Sequence, residues 1–177
     1  MPASGFKPWR FYALWIVGVA VADQVTKYLV IRYIDPYERI VVIPGCFNLV
    51  HIYNLGSAFG MFQGWKHALS VLSGLVFIGL LVYQKKFTGD WPLRRLSLGL
   101  ILGGIIGNMI DRVARIGVVD FLNFYFRQWE WPSFNIADSA IVVGVLFYVW
   151  HSFKYPDHID QVPSPDADKA DSATADS

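Results

Sequence analysis

The sequence predicts an all-α membrane protein with four transmembrane helices, a small extracytoplasmic β-sheet and a short interfacial helix or loop. Three observations support this fold class. Hydrophobic residues make up 54% of the chain, whereas charged residues make up only 16%. The mean hydropathy of +0.38 is higher than that of an ordinary soluble domain. Four apolar runs, separated by polar segments, suggest four membrane spans.

The first apolar run, residues 11–31, has the roughly 20 residues that a helix needs to cross about 30 Å of hydrocarbon. Lys7 and Arg10 precede it as they would a secretory signal, but the run continues through charged residues without a small-residue cleavage motif. We therefore expect it to be retained. Three further uncharged runs are somewhat short alone but can be extended by one helical turn at either end, and they cover residues 68–83, 96–110 and 139–153.

The segment after the first span contains two strand-like stretches, residues 39–43 and 47–53, joined by the turn signal Pro44-Gly45. They predict a small sheet lying on the membrane. The segment after the third span is crowded with aromatic residues at 121–126. This pattern predicts either a half-immersed interfacial helix or a loop packed on the bundle, and the sequence leaves both open.

The distribution of basic residues predicts the orientation of the chain in the membrane. By the positive-inside rule, the N-terminus and the loop between the second and third spans lie in the cytoplasm. Residues 32–66 and 112–132 then face outward, and both termini are cytoplasmic. The basic residues that determine this orientation are Lys7, Arg10, Lys85, Lys86, Arg94 and Arg95.

The chain divides into a membrane domain, residues 1–155, and a C-terminal tail, residues 156–177. The tail is rich in Asp, Ala, Ser and Pro and has almost nothing apolar to bury, so we expect a disordered acidic tail in the cytoplasm. A single cysteine, Cys46, and four scattered histidines form no metal-binding or redox pattern. We expect no metal, no cofactor and no nucleic acid partner.

Four acidic residues lie in or beside the predicted spans, where water is scarce. A charged carboxylate at the centre of a bilayer costs at least about 2.5 kcal/mol, so such residues face protein or water-filled cavities and usually mark function. The ordinary structural alternative is an acid that is neutralised by a neighbouring base. The four residues are Asp23, Asp111, Asp120 and Asp138.

Two of these acids have a basic residue nearby in the sequence. Lys27 lies four residues after Asp23, on the same helix face, and can neutralise it. Arg112 and Arg115 adjoin Asp111. We therefore predict structural roles for Lys27 and Asp111, although the sequence also leaves a direct functional role for Asp111 open.

The other two acids, Asp120 and Asp138, form the candidate catalytic pair. Asp120 is flanked by apolar residues on both sides, where burial raises the pKa of a carboxyl group, although a solvated loop acid is the alternative. Asp138 has no basic residue within several positions. The predicted topology places both at the outer end of the bundle. Two neighbouring carboxyls share a proton, so one can activate water that attacks a peptide carbonyl, which is aspartyl protease chemistry.

Further polar residues at this level can hold a peptide backbone. Amide groups and a guanidinium can donate hydrogen bonds to the carbonyls of a substrate. Asn54, Asn108, Arg112 and Asn135 are positioned for this role, although Asn135 can equally serve as the N-cap of the fourth helix.

These residues fall in five ordered motifs that together resemble bacterial lipoprotein signal peptidase, also called signal peptidase II. The resemblance covers roughly residues 10–153, and Ser57 is a departure, since the family more often has alanine there. The motifs are Asp23-Gln24-Val25-Thr26-Lys27, Asn54-Leu55-Gly56-Ser57-Ala58-Phe59-Gly60, Gly107-Asn108-Met109-Ile110-Asp111-Arg112, Val119-Asp120-Phe121 and Phe134-Asn135-Ile136-Ala137-Asp138.

The resemblance implies an aspartic endopeptidase that removes the signal peptide from diacylglyceryl-modified prolipoproteins, just before the lipidated cysteine. Its site would lie toward the outer face of the bacterial cytoplasmic membrane. Prolipoprotein and membrane lipid are then the expected partners, and no obligate protein partner is expected. Asp120 and Asp138 would be catalytic, and supporting or substrate-binding positions would be Asp23, Asn54, Gly56, Asn108, Arg112 and Asn135.

Two other classes of protein also place carboxylates inside a membrane. A small transporter or a proton or ion conduit needs acids that line a path across the bilayer, whereas here they gather toward one face. A non-catalytic scaffold would retain its activity when Asp120 and Asp138 are both replaced by asparagine.

Overall fold

The computed structural model describes residues 8–55 and 66–156. Gly56, and the tail from residue 157 onward, lie outside the described residues. Within the described part of the chain, five helices and four strands follow in this order: α1 (Pro8–Tyr33), β1 (Arg39–Ile43), β2 (Phe47–Asn54), α2 (Lys66–Val82), α3 (Gln84–Thr88), α4 (Pro92–Ala114), β3 (Val118–Phe126), β4 (Trp129–Glu130) and α5 (Ile136–Lys154).

Three of the described helices are long and apolar enough to cross a membrane: Arg10–Tyr33 within α1, and the whole of α4 and α5. The prediction of a membrane protein with these three helices is confirmed. The remaining predicted span corresponds to α2, whose apolar part, Ala68–Val82, is shorter. The helices extend beyond the apolar runs because polar residues form their end turns. α4 begins at Pro92, since a proline fits the first turn of a helix.

The centre of the bundle is α4, which packs against α1, α2 and α5. Glycines allow these close approaches, as expected for packed membrane helices. A Cβ added at Gly103 would lie 2.8 Å from Val19 Cβ of α1, and one at Gly107 would lie 2.6 Å from Asp23 Oδ2. The helix α4 therefore brings its polar residues directly against α1 and α5.

The four strands form one antiparallel sheet in the order β1-β2-β3-β4. The predicted strands at 39–43 and 47–53 are both confirmed, and β2 extends to Asn54. In the central pair, Ile52 lies opposite Asp120, with an irregularity between Leu49 and Ile52. The sheet packs on the end of α1 through a small apolar core of Val30, Ile34, Val119 and Phe121. This packing fixes β3 over the end of the bundle.

The prediction of an interfacial helix or a loop at residues 121–126 is wrong, because this segment belongs to strand β3. β-branched and aromatic residues favour a strand where a partner strand is available. β2 provides that partner, with Phe47 opposite Phe124. Phe121 is packed in the core, whereas Phe126 is 65% exposed. The sequence shows the aromatic residues but not the distant strand that pairs with them.

Candidate active site

Four elements, α1, α4, β3 and α5, bring all four predicted acids to one end of the bundle. Asp23, Asp111 and Asp120 are almost completely buried, and Asp138 is partly exposed. A cluster at one end is typical of a local site rather than of a path that crosses the membrane. The cluster contains two groups of contacts, one centred on a lysine and one on an asparagine.

The first group is centred on Lys27, which is completely buried. Its Nζ lies 2.8 Å from Asp23 Oδ2 and 2.9 Å from Asp111 Oδ2. It also donates a hydrogen bond of 3.1 Å to Asn108 Oδ1. Arg115 forms a further ion pair with Asp111. The predicted pairing of Asp23 with Lys27 is thus confirmed, and Asp111 is also neutralised by basic groups.

The two paired carboxylates also bind backbone groups of the site. Asp23 Oδ1 accepts a hydrogen bond of 3.0 Å from the backbone N–H of Ala137, in the first turn of α5. Asp111 Oδ2 accepts one of 3.0 Å from the backbone N–H of Val119, next to Asp120. Each bond satisfies a buried donor that would otherwise lack a partner. The lysine-centred group therefore fixes both segments that carry the candidate catalytic acids.

The second group is centred on Asn135. Asn135 is the N-cap of α5. Its side-chain oxygen accepts a hydrogen bond of 3.0 Å from the backbone N–H of Asp138, and Asp138 Oδ2 accepts one of 3.3 Å from the backbone N–H of Asn135. This is a capping box. The amide nitrogen of Asn135 also donates to Asp120 Oδ1 at 2.7 Å and to Asn108 Oδ1 at 3.1 Å. The N-cap role considered for Asn135 is therefore confirmed, whereas its role in binding a substrate stays a prediction.

Asparagines hold both candidate catalytic carboxyls in place. Asn108 donates a hydrogen bond of 2.8 Å from Nδ2 to Asp138 Oδ1. Asn54, at the end of β2, donates one of 3.0 Å from Nδ2 to Asp120 Oδ2. Both oxygens of Asp120 are thus bound by amide groups, as are both oxygens of Asp138 once the backbone N–H of Asn135 is included.

The environment of Asp120 favours its protonated form. Burial, followed by the negative charge of Asp138, raises the pKa of Asp120 to about 7. The hydrogen bonds from Asn54 and Asn135 oppose this rise because they stabilise the charged carboxylate. The alternative of a solvated loop acid is excluded, since Asp120 is only 2% exposed. Near neutral pH this carboxyl can therefore both hold and release a proton.

Arg112 lies beside the acids but makes its hydrogen bond elsewhere. Its Nη1 donates to Ser73 Oγ of α2 at 3.5 Å, and its charge interacts with those of Asp138, Asp111 and Asp120.

The predicted supporting position at Gly56 falls outside the described residues. Among the residues that the structure describes, no group of His, Cys, Asp and Glu side chains could hold a metal ion.

Gln24 is a site residue that the sequence analysis did not select, although it lies in the first of the five motifs. Its Nε2 donates to Asp23 Oδ2 at 3.1 Å, to Asp111 Oδ1 at 3.1 Å and to the backbone oxygen of Gly107 at 3.0 Å. Its Oε1 accepts a bond of 3.0 Å from Arg115. The available signal was an uncharged polar residue inside a span, directly after a buried acid.

Comparisons with known proteins agree with this geometry. A family model described as Signal peptidase (SPase) II matches residues 15–154. A lipoprotein signal peptidase of Symbiobacterium thermophilum is 45% identical over 138 residues, which cover 78% of this chain and 90% of the relative. One from Geobacillus thermodenitrificans is 40% identical over 150 residues, covering 85% and 93%.

A solved bacterial membrane enzyme has the same overall fold. Its structure matches with a TM-score of 0.74 at 28% sequence identity, over 85% of this chain and 92% of that chain. The family match includes all four acids of the cluster, Asp23, Asp111, Asp120 and Asp138. The chain therefore belongs to the signal peptidase II family of aspartic peptidases.

Proposed function

We propose that this protein removes signal peptides from diacylglyceryl-modified prolipoproteins and cleaves the bond just before the lipidated cysteine. The observation that carries the proposal is the contact of one side chain, Asn135, with both Asp120 and Asp138. Membership of the family and the names of the relatives support the substrate class. A substrate that carries lipid also explains why the site is built at the end of a membrane bundle.

Asp120 and Asp138 are the catalytic pair in this proposal. Two neighbouring buried carboxyls share one proton, so the pair titrates as a unit. The ionised member takes a proton from the attacking water, and the protonated member donates a hydrogen bond to the oxygen of the scissile carbonyl. A pKa of about 7 for Asp120 suits a proton that must be held and released during each cycle.

The remaining site residues position this pair. Lys27 binds Asn108, which in turn binds Asp138, so an ion pair in α1 orients a catalytic acid in α5. Asn54 orients Asp120 from the side of the sheet. Arg112 and Gly56 are assigned to the substrate, because a guanidinium and a small residue suit an extended peptide backbone.

α2 acts as the fourth transmembrane helix in this proposal. Asn54 lies at the site end of the bundle, where it binds Asp120, whereas Pro92 begins α4 at the opposite end. The chain between them must therefore cross the bundle, and α2 is the longer of the two described helices in this interval. Its 17 residues span about 26 Å, close to the thickness of the hydrocarbon core.

The active site faces outward from the bacterial cytoplasmic membrane, with both chain termini in the cytoplasm. Basic residues at the end opposite Asp120 support this orientation through the positive-inside rule. They include Arg10 at the start of α1 and Lys85, Lys86, Arg94 and Arg95 around α3 and the start of α4. Residues 1–155 then form the peptidase.

The test is cleavage of a diacylglyceryl-modified prolipoprotein by the purified full-length protein in detergent, with the products identified by mass spectrometry. We expect Asp120→Asn and Asp138→Asn each to abolish cleavage. Asp35→Asn, the same change at an exposed acid of the outer segment, is the matched control and should leave it unchanged. Cleavage retained by either active-site variant would remove that acid from the chemistry. If the wild-type protein cleaves a precursor that lacks the diacylglyceryl group equally well, the proposed substrate class is wrong.

A further inference from the structure

A cavity lies at the end of the bundle opposite Asp120. We call it the basal cavity, and it has a volume of about 500 Å³, within the range of small-ligand sites. Three elements and the loop between two of them contribute to its wall. The lining includes Tyr12 of α1, Lys85 and Thr88 of α3, Asp90 of the following loop and Arg95 of α4.

The position of Arg95 places the basal cavity at a membrane surface. Arg95 lies in the first turn of α4, and Asn108 of the candidate active site lies about 20 Å further along the same helix. Since α4 is long enough to span the membrane, its first turn lies at the level of the lipid headgroups. The cavity is therefore separate from the peptidase site and within reach of lipid.

Two basic side chains give the cavity a net positive charge. Arg95 is held in place by hydrogen bonds from Nη2 to Asp90 Oδ1 at 3.0 Å and to the backbone oxygen of Gly89 at 3.2 Å. The Asp90 side chain is fully exposed, so it neutralises Arg95 only weakly. Lys85 is also exposed, and it forms no ion pair within the part of the chain that the structure describes. Cavity charges are thus positive at Lys85 and Arg95 and negative at Asp90.

The surroundings of the cavity are suited to an amphipathic ligand. Tyr83 and Trp91, which flank α3, are 66% and 42% exposed, and aromatic side chains of this kind collect at membrane interfaces. Trp15 of α1, about one turn after Tyr12, is 40% exposed, and the exposed residues Gly18 and Ala22 follow it along the same helix toward the middle of the bilayer. An exposed apolar surface thus adjoins the basic pocket.

We propose that the basal cavity binds the phosphodiester headgroup of an anionic glycerophospholipid. Lys85 and Arg95 contact the phosphate oxygens. The hydroxyl hydrogens of Tyr12 and Thr88 bind Gln84 and the backbone oxygen of Gly89, so their oxygens accept hydrogen bonds from the hydroxyl groups of the headgroup. The acyl chains lie along the exposed apolar side of α1. A basic pocket between membrane helices at headgroup level is suited to this class of ligand, and a soluble phosphate compound would leave the adjoining apolar surface unused. The inference concerns a site outside the proposed peptidase reaction.

The test measures lipid binding to the delipidated full-length protein in a nonionic detergent by native mass spectrometry. We expect one molecule of phosphatidylglycerol to bind saturably and more tightly than phosphatidylcholine. Lys85→Gln should weaken phosphatidylglycerol binding about fivefold, the effect of one basic contact near a membrane surface. Lys86→Gln is the matched control because Lys86 is an exposed neighbour that does not line the cavity. Equal losses in the two variants, or no preference for the anionic lipid, would overturn the proposal.

One further measurement distinguishes a lipid phosphate from a soluble phosphate, and another distinguishes lost binding from lost folding. If inorganic phosphate or glycerol 3-phosphate displaces the lipid at equal concentration, the cavity recognises a soluble phosphate and the lipid proposal is wrong. Arg95→Gln should also weaken binding, but it removes hydrogen bonds within the protein, so its thermal unfolding is measured in parallel. If that variant does not fold, Lys85→Gln alone decides the outcome.

Discussion

Asn135 Nδ2 donates a hydrogen bond of 2.7 Å to Asp120 Oδ1, across an interface between a helix and a sheet. The same side chain caps α5 and thereby orients Asp138. One amide group therefore helps to position both acids, together with Asn54 and Asn108. A substitution of Asn135 is expected to change both helix stability and catalysis, and the choice of substitution can separate the two effects.

Asn135→Ser is expected to separate them. A serine can still cap α5, but it lacks the amide hydrogens that bind Asp120. We expect cleavage to fall strongly, while the variant remains more stable than Asn135→Ala by about 1 kcal/mol, the usual contribution of a cap. Thermal unfolding and prolipoprotein cleavage are measured on both variants. Wild-type activity in Asn135→Ser would show that the contact with Asp120 is dispensable.

The rate of cleavage should depend on pH near neutrality. The shared proton is required for catalysis, and the raised pKa of Asp120, about 7, sets the point at which it is lost. We therefore expect kcat/KM to fall as the pH rises above about 7. The profile is measured in detergent between pH 5 and 9, which is roughly two units on either side of that value. A rate that stays constant up to pH 9 would contradict the raised pKa.

Asp120 should also make the stability of the fold depend on pH. The pKa of its carboxyl group is about 7 in the folded protein, compared with a reference value of 3.8. Between these two pH values, folding is therefore accompanied by the uptake of a proton. The stabilising effect of this proton is fully present below pH 3.8 and is lost as the pH rises through about 7. Asp120→Asn should therefore have a higher Tm than the wild type at pH 8, and the difference should shrink toward pH 4. Parallel Tm curves would exclude this linkage.

Removal of Lys27 is expected to destabilise the protein. Lys27→Met leaves Asp23 and Asp111 without their shared cation, and breaking a buried ion pair in this way typically costs about 3–5 kcal/mol. Thermal unfolding in detergent measures the effect, and Lys86→Met, at an exposed position, is the control. Adding Asp23→Asn to Lys27→Met should restore part of the stability. A Lys27→Met protein as stable as the control would contradict the proposed structural role.

Deletion of residues 157–177 is expected to leave prolipoprotein cleavage unchanged. The composition of this segment gives it almost no apolar side chains to bury, since it consists largely of Asp, Ala, Ser and Pro. Turnover by the truncated and full-length proteins is compared in the same detergent. A large decrease would show that the tail contributes to the reaction.

The apolar runs and the acids could be predicted from the sequence because both signals are local. Uninterrupted apolar residues indicate α1, α4 and α5, and an acid without a nearby base makes Asp138 conspicuous. The same reasoning failed at β3, whose partner β2 is far away along the chain. The role of Gln24 was equally hidden, since its contacts with Gly107 and Asp111 join distant segments. Local patterns identify candidate residues, whereas the folded chain determines which residues meet.

The hydrogen bond from the backbone of Ala137 to Asp23 has a consequence for how the enzyme is made. Asp23 belongs to α1 and Ala137 to α5, so Asp23 is synthesised well before Ala137. The ion pair with Lys27, on the same helix, lets the first helix enter the bilayer without an isolated charge. The backbone N–H of Ala137 becomes available to the Asp23 carboxylate only after α5 has been synthesised. Because Asp138 lies in the first turn of the same helix, the proposed catalytic pair is incomplete in a nascent chain until α5 is inserted.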